Sequence, residues 1–326
     1  MLEDNLNVLM RTVPQKTADG PLADDFKNPL RILESEAVLS VLKKHWLGNH
    51  ENLTQPEKFV EEFFAYLVGA ADQRGIANKE IKKHYNKKLK EYWNEKLKAE
   101  KPGDMFLEML HDRLDDVETV LDFGCGKLAY LKNMAEQSAS IKKFIGIDSN
   151  SRPILVGLDP RIEFARSLDA VADTSVDLVV IKLVLHHLEC DQEAQDIFTG
   201  LRRVLRPGGK LIVFEESFPI APCGKKEIEN YLAKFACPAR NLEMAEVTQD
   251  FLQLTVEEKI QFLFLNDWLM NLQNHYMPWT GLYKSIEDWI DLVESTGFQK
   301  ESAHFLGAIK HRKRKQGMTA VLTFFG

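Results

Sequence analysis

Two glycines, Gly124 and Gly126, follow an apolar run in VLDFGCGKLAYL, Val120 to Leu131, and precede residues at helical spacing. A strand that runs into glycines and then into a helix offers unpaired N–H groups at the helix start and lets a polar ligand approach the main chain. Gly124-Cys125-Gly126-Lys127-Leu128-Ala129 also fits G-x-G-x-x-G/A, the dinucleotide pattern, so the loop alone does not identify its ligand. Asp122, just before the first glycine, is a carboxylate that would repel a pyrophosphate and attract an ammonium group. Asp148, in FIGIDSN, ends the next apolar run, where a carboxylate can accept hydrogen bonds from both hydroxyls of a ribose. Further on, His186 and His187 follow one strand-like run, and Glu215 and Glu216 end another. Adjacent side chains diverge at a strand end, so at most one of each pair should face a ligand. An imidazole takes a proton near neutrality without a large pKa shift, which favours histidine over Glu215 as a general base. His275, before Pro278, is a further candidate.

The elements that must position these groups fall into four segments. Residues 1–115 are expected to form a helical extension, after about thirty residues of irregular chain. Leu30, Leu33, Ala37, Val38, Val41 and Leu42 recur at helical spacing, and Thr54-Gln55-Pro56-Glu57 reads as a capping box ahead of Phe59, Val60, Phe63, Phe64 and Leu67. A third helix is expected from Lys79 to Ala99, with Ile81, Tyr85, Leu89, Tyr92 and Trp93 on one stripe. Residues 116–217 alternate short β-rich runs with helical stretches, the signature of a doubly wound α/β unit with a mostly parallel sheet and helices on both faces. The strands are expected at Val117 to Phe123, Lys143 to Ile147, Val176 to Ile181 and Gly209 to Glu215. Residues 218–283 lose that pattern and read as a helical insert, opened in part by a capping box at Thr255-Val256-Glu257-Glu258. Residues 284–326 return to the core, with a helix from Ser285 and two strands around HRKRKQG.

Four segments in order resemble the class I S-adenosylmethionine-dependent methyltransferase family: LDFGCG, FIGIDSN, VDLVVIKLVLHHL (Val176 to Leu188) and LRRVLRPGGKL (Leu201 to Leu211). The resemblance covers roughly Tyr85 to Phe325 and implies a seven-stranded sheet with S-adenosylmethionine as cofactor. It implies that Asp122, Gly124 and Gly126 form the loop at the methionine end, that Asp148 holds the ribose, and that the backbone near Lys182 makes a further contact. Ser167, Leu168 and Asp169 share the adenine position. HYNKKLKEYW resembles the helix that precedes the core in many members, so Tyr85 and Tyr92 are cofactor candidates, with plain helix packing as their alternative. The resemblance also selects His187 as the histidine facing the acceptor. Leu128 departs from the pattern by standing where many members have a third glycine.

Other classes are disfavoured by what the chain lacks or carries. Its net charge of −7 would repel a polyanion, so no nucleic acid partner is expected despite the lysines of 79–101 and the run His311 to Lys315. Cys125, Cys190, Cys223 and Cys237 lack metal or disulfide spacing, so no metal site is expected and a reducing, cytoplasmic setting fits. No apolar run reaches the roughly 18 residues of a membrane span, and the acidic N-terminus does not read as a secretory leader. There is no G-x-S-x-G elbow and no H-E-x-x-H, nor the (D/N)-P-P-(Y/F) or Pro-Cys of nucleic acid methyltransferases after the fourth strand. The insert's aromatics, among them Phe262, Trp268, Trp279 and Tyr283, suit an apolar or aromatic small-molecule acceptor methylated at oxygen or nitrogen. Two alternatives from other classes are a non-catalytic interaction subunit on the same fold and an NAD-dependent oxidoreductase. The extension and insert are expected to close over the bound ligand.

Overall fold

The computed structural model describes residues 29–71, 78–93, 105–110, 113–149, 153, 155–221, 223–234, 242–271, 281–311 and 314–326. The N-terminal part is helical, as its apolar spacing predicts: α1 (Glu36–Asn49), α2 (Pro56–Ala71), α3 (Asn78–Glu91) and the short α4 (Met105–Leu110). Ser35 caps α1 by accepting the Val38 N–H at 3.4 Å. The capping box expected at Thr54 does not form, because the Thr54 hydroxyl donates to the Tyr92 carbonyl at 3.2 Å. Pro56 instead opens α2, where its missing N–H costs nothing. Trp46, Phe59, Phe63 and Phe64 form the dry centre of this unit, with Trp46 stacked on Phe63 at 5.3 Å. α3 ends earlier than the stripe suggested, and Trp93, expected on its apolar face, is 53% exposed.

The core follows as β1 (Thr119–Phe123), α5 (Ala129–Gln137), β2 (Lys143–Ile147), β3 (Ile162–Ala165), β4 (Val176–Lys182), α6 (Asp191–Val204) and β5 (Leu205–Glu216). The insert contributes α7 (Lys225–Ala233), β6 (Leu242–Met244), α8 (Val247–Leu252) and α9 (Val256–Met270). The chain closes with α10 (Ile286–Glu294), β7 (Gln299–His311) and β8 (Arg314–Phe325). Among the described residues the strands form one sheet in the order β3-β2-β1-β4-β5-β8-β7-β6. β1 to β5 pair in parallel and the remaining neighbours are antiparallel. The seven strands of the expected sheet are thus present, and the short β6 is an eighth that the insert adds at the edge. β1, β4 and β5 are buried along most of their length, as strands covered on both faces should be.

The capping box at Thr255 is present in full: its hydroxyl accepts the Glu258 N–H at 3.3 Å and Glu258 accepts the Thr255 N–H at 2.9 Å. Ser285 likewise caps α10 by accepting the Asp288 N–H at 3.0 Å. The extension and the insert pack on each other, with α1 against α8, α9 and β8. Lys44 pairs with Asp250 at 2.9 Å across that junction, and His45 meets Phe262 edge-on at 5.8 Å. No helix among the described residues is long and apolar enough to cross a membrane.

Candidate functional site

Strand order reverses between β1 and β4, and an open α/β sheet forms its ligand crevice at the carboxyl ends of the strands there. Phe123, which ends β1, pairs with Ile181 of β4, so the loops that follow these strands lie side by side. The first is the glycine loop. Gly124 and Gly126 have φ of 77° and 52°, and a Cβ at Gly126 would meet nothing within 4 Å. The main chain at Gly126 therefore faces open space, which is the close backbone approach a ligand needs. The loop is braced from β2: Gly124 N–H donates to the Ile147 carbonyl at 2.7 Å, and Asp148 accepts the Gly126 N–H at 2.9 Å. Asp122 is 2% exposed beneath the loop. Leu128 holds φ 64°, a left-handed conformation that explains the glycine common at this position. Its buried side chain packs over Gly146, where a Cβ would collide with Leu128 Cδ2.

The second loop leaves β4 at Lys182, whose Nζ lies 4.0 Å from the centre of the buried Tyr130 ring on α5. Leu183 then takes φ 56°, and Val184 packs on Gly124, with Cγ1 2.9 Å from the site of a Gly124 Cβ. A single turn, Leu185 to His187, follows. Glu215, fully buried at the end of β5, holds this turn: one oxygen accepts the N–H groups of Val184 at 3.1 Å and Leu185 at 2.7 Å. Its other oxygen accepts the Glu216 N–H at 2.8 Å and the His186 Nδ1–H. The expectation of Glu215 as a base is therefore corrected. Both its oxygens are engaged in folding the loop, and it acts as a positioning residue.

The structure gathers a buried polar group that spacing alone did not assemble. His186 stacks on Tyr283 at 5.2 Å and lies 4.0 Å from the His187 ring, centre to centre. Asp267 of α9 accepts from Asn271 Nδ2 at 2.6 Å and is hydrogen-bonded to Tyr283. Burial opposes the charged form of His186, but Glu215 outweighs it, with Asp267 and Glu216 adding, and brings the ring up to about 9. Burial likewise raises the carboxyls of Glu216 and Asp267, and it raises the Tyr283 hydroxyl. His187, at the turn's end, is half-buried. Asp267 went unremarked in the sequence, although it falls three and four positions after Phe264 and Leu263, on the buried face of α9. An acid at that spacing in an apolar helix was the available signal.

The remaining expected residues are placed more loosely. Ser167 caps the turn Leu168 to Ala170 just beyond β3, accepting the Asp169 N–H at 3.2 Å, while Leu168 packs toward Gly200. That puts all three at the β3 end of the crevice. Tyr85 and Tyr92 lie instead in the packing of the helical unit, with their hydroxyls on His50 at 3.0 Å and Glu62 at 3.0 Å. Both rings surround Phe59, so for these two the helix-packing alternative is the one observed. His275 lies outside the described residues.

A doubly wound sheet with a braced glycine loop and an acid at the end of the neighbouring strand defines a nucleoside-cofactor enzyme core. Residues 121–213 match the family model of the methyltransferase domain, a stretch that runs from β1 to β5 and takes in both loops. Over these residues the chain is similar to the methyltransferase domain, and S-adenosylmethionine is the cofactor that match supports. Among solved structures, one from Nostoc punctiforme is 16% identical over 68% of this chain, with a TM-score of 0.43, and the chain spans 55% of its length. An S-adenosylmethionine-dependent methyltransferase from Mesorhizobium loti is 16% identical, over 69% of this chain and 99% of that one, with a TM-score of 0.41. The mitomycin 7-O-methyltransferase MmcR is 12% identical, over 83% of this chain and 69% of its own, with a TM-score of 0.43. No curated protein matches the chain in sequence.

Proposed function

We propose that this chain transfers a methyl group from S-adenosylmethionine to an oxygen or nitrogen of a small, apolar or aromatic acceptor. One observation carries the reading: Val184 joins the two halves of the site, packing on Gly124 of the cofactor loop two residues before His186 and three before His187. The loop that would hold the methionine end is thereby fixed against the segment that would meet the acceptor. S-adenosylmethionine, when bound, supplies an electrophilic methyl group on a sulfonium. Asp122, Gly124 and Gly126 would hold the methionine end and Asp148 the ribose, with Ser167, Leu168 and Asp169 at the adenine end and the Lys182 backbone beside the loop.

On the acceptor side Glu215 holds the turn in place, and His187 is the group that would take the acceptor's proton. The paired extension and insert would limit water at the crevice, and alignment with desolvation would supply much of the rate. The test is to incubate the protein with S-adenosylmethionine and panels of phenols, hydroxylated heterocycles and amines, following S-adenosylhomocysteine by mass spectrometry. Acceptor-dependent formation of S-adenosylhomocysteine supports the proposal. Tight cofactor binding with no turnover across the panels would favour the non-catalytic subunit.

A further inference from the structure

The group formed by His186, His187 and Asp267 has the composition of a metal centre. Each residue offers a ligand atom, and these atoms lie within 4.8 Å of one another. Donors held tetrahedrally at about 2.1 Å lie about 3.4 Å apart, so adjustments of up to about 0.8 Å per residue bring the set together. We propose that this pocket binds one divalent first-row transition ion through His186 Nε2, a ring nitrogen of His187 and a carboxylate oxygen of Asp267.

Three features of the surroundings support this beyond proximity. First, His186 is 3% exposed and its Nε2 has no hydrogen-bond partner, an arrangement that is costly for a buried polar atom. With Nδ1–H donating to Glu215, Nε2 is the nitrogen turned to the cluster, and a bound cation would take the place of its proton. A carboxylate behind a histidine is the usual outer-shell device for orienting a metal ligand. Second, Asp267 is oriented in the same manner, by Asn271 and Tyr283. Third, Glu216 is 8% exposed, carries an unpartnered Oε2, and lies close enough for its charge to act on both His186 and Asp267. Three carboxyl groups thus lie around His186, and a divalent cation would favour their charged forms there. Two imidazoles and a carboxylate select zinc, cobalt or ferrous iron over magnesium or calcium, which take all-oxygen sites.

The ion's role rests on the proposed methyl transfer: it would bind an acceptor hydroxyl as its alkoxide or phenolate, next to the cofactor loop, the proton passing to solvent, and so would take over the role given to His187 above, which then acts as a ligand. Its binding can be read independently of that role. Protein stripped with a chelator is titrated with Co2+ while visible d–d absorption is recorded, and S-adenosylhomocysteine binding is measured by calorimetry on the same sample. One Co2+ per chain is expected, with bands that His187→Ala and Asp267→Asn each abolish. His187 is half-buried, so its variant keeps the fold and serves as the safeguard should the Asp267 variant fail to fold. Two results would overturn the inference: no d–d bands in the folded wild type, or Co2+ bands that persist in folded His187→Ala. Loss of S-adenosylhomocysteine binding with the Co2+ bands intact would instead count against the cofactor reading and leave the metal site standing.

Discussion

The two loop glycines should respond differently to the same added methyl group. Both have positive φ, and an L-residue in the left-handed region costs about 1–2 kcal/mol. At Gly126, with φ 52° and nothing within 4 Å of the added Cβ, that is nearly the whole cost to the free protein. Gly126→Ala should therefore lower the melting temperature by only about 2–4 °C. Its methyl group would occupy the space a cofactor needs, and overpacking of about 1–3 kcal/mol predicts an affinity loss of roughly five- to a hundredfold. Gly124→Ala places its Cβ 2.9 Å from Val184 Cγ1 and 3.2 Å from Val184 Cβ, and Val184 is tied down through its own N–H to Glu215. Strain and overpacking together should cost about 2–5 kcal/mol of stability, and the push on Val184 reaches the histidine turn. Thermal denaturation and calorimetry with S-adenosylhomocysteine read both effects. The reasoning is refuted if Gly124→Ala is as stable as Gly126→Ala, or if folded Gly126→Ala binds the ligand like wild type.

Once an acceptor is known, His187→Ala should cut turnover by about 10²–10⁴-fold while S-adenosylhomocysteine affinity stays within about twofold. Equal loss of both would make His187 a structural residue. Glu215→Gln leaves one half of the buried network facing an NH2 group instead of an acceptor, so a loss of about 2–4 kcal/mol is expected in denaturant melts. Unchanged stability would mean the turn does not depend on that carboxylate. Burial, with Lys234 and Arg113 nearby, holds His304 down at about 4 against 6.5 for the free side chain. The unfolded chain then binds the extra proton between those values, so this residue should make the fold lose stability as pH falls from about 6.5 to 4. After discounting for partial exposure the effect is about 1–2 kcal/mol, and His304→Gln should flatten that part of the stability curve.

Much of this architecture was legible where a local pattern has a single physical outcome. The β1–glycine–helix run, the alternation of short strands and helices, and the caps at Thr255 and Ser285 are all found where the sequence puts them. The position of Asp148, just past β2 and beside the glycine loop, was legible from the apolar run it ends. Patterns that depend on tertiary context were less clear. Thr54 has the spacing of a capping box, but a carbonyl from Tyr92, 38 residues away, captures its hydroxyl. Tyr85 and Tyr92 fit a cofactor helix and a packing helix equally well by spacing, and only the neighbouring Phe59, His50 and Glu62 decide. Glu215 looked reactive because no sequence rule shows that four donors converge on it. The pocket around His186 was hidden for the same reason: Asp267 and Tyr283 come from the insert, and the sheet brings them to the histidines across some 80 to 100 positions of chain.

The most direct test of the central claim is calorimetric titration of wild type and Asp148→Ala with S-adenosylhomocysteine, with NAD as the control ligand. A carboxylate accepting the ribose hydroxyls should contribute about 1.5–3 kcal/mol. Saturable binding of one S-adenosylhomocysteine per chain is therefore expected, weakened roughly ten- to a hundredfold in folded Asp148→Ala, with no heat from NAD. Binding of NAD in place of S-adenosylhomocysteine, or an unchanged dissociation constant in folded Asp148→Ala, would contradict the account.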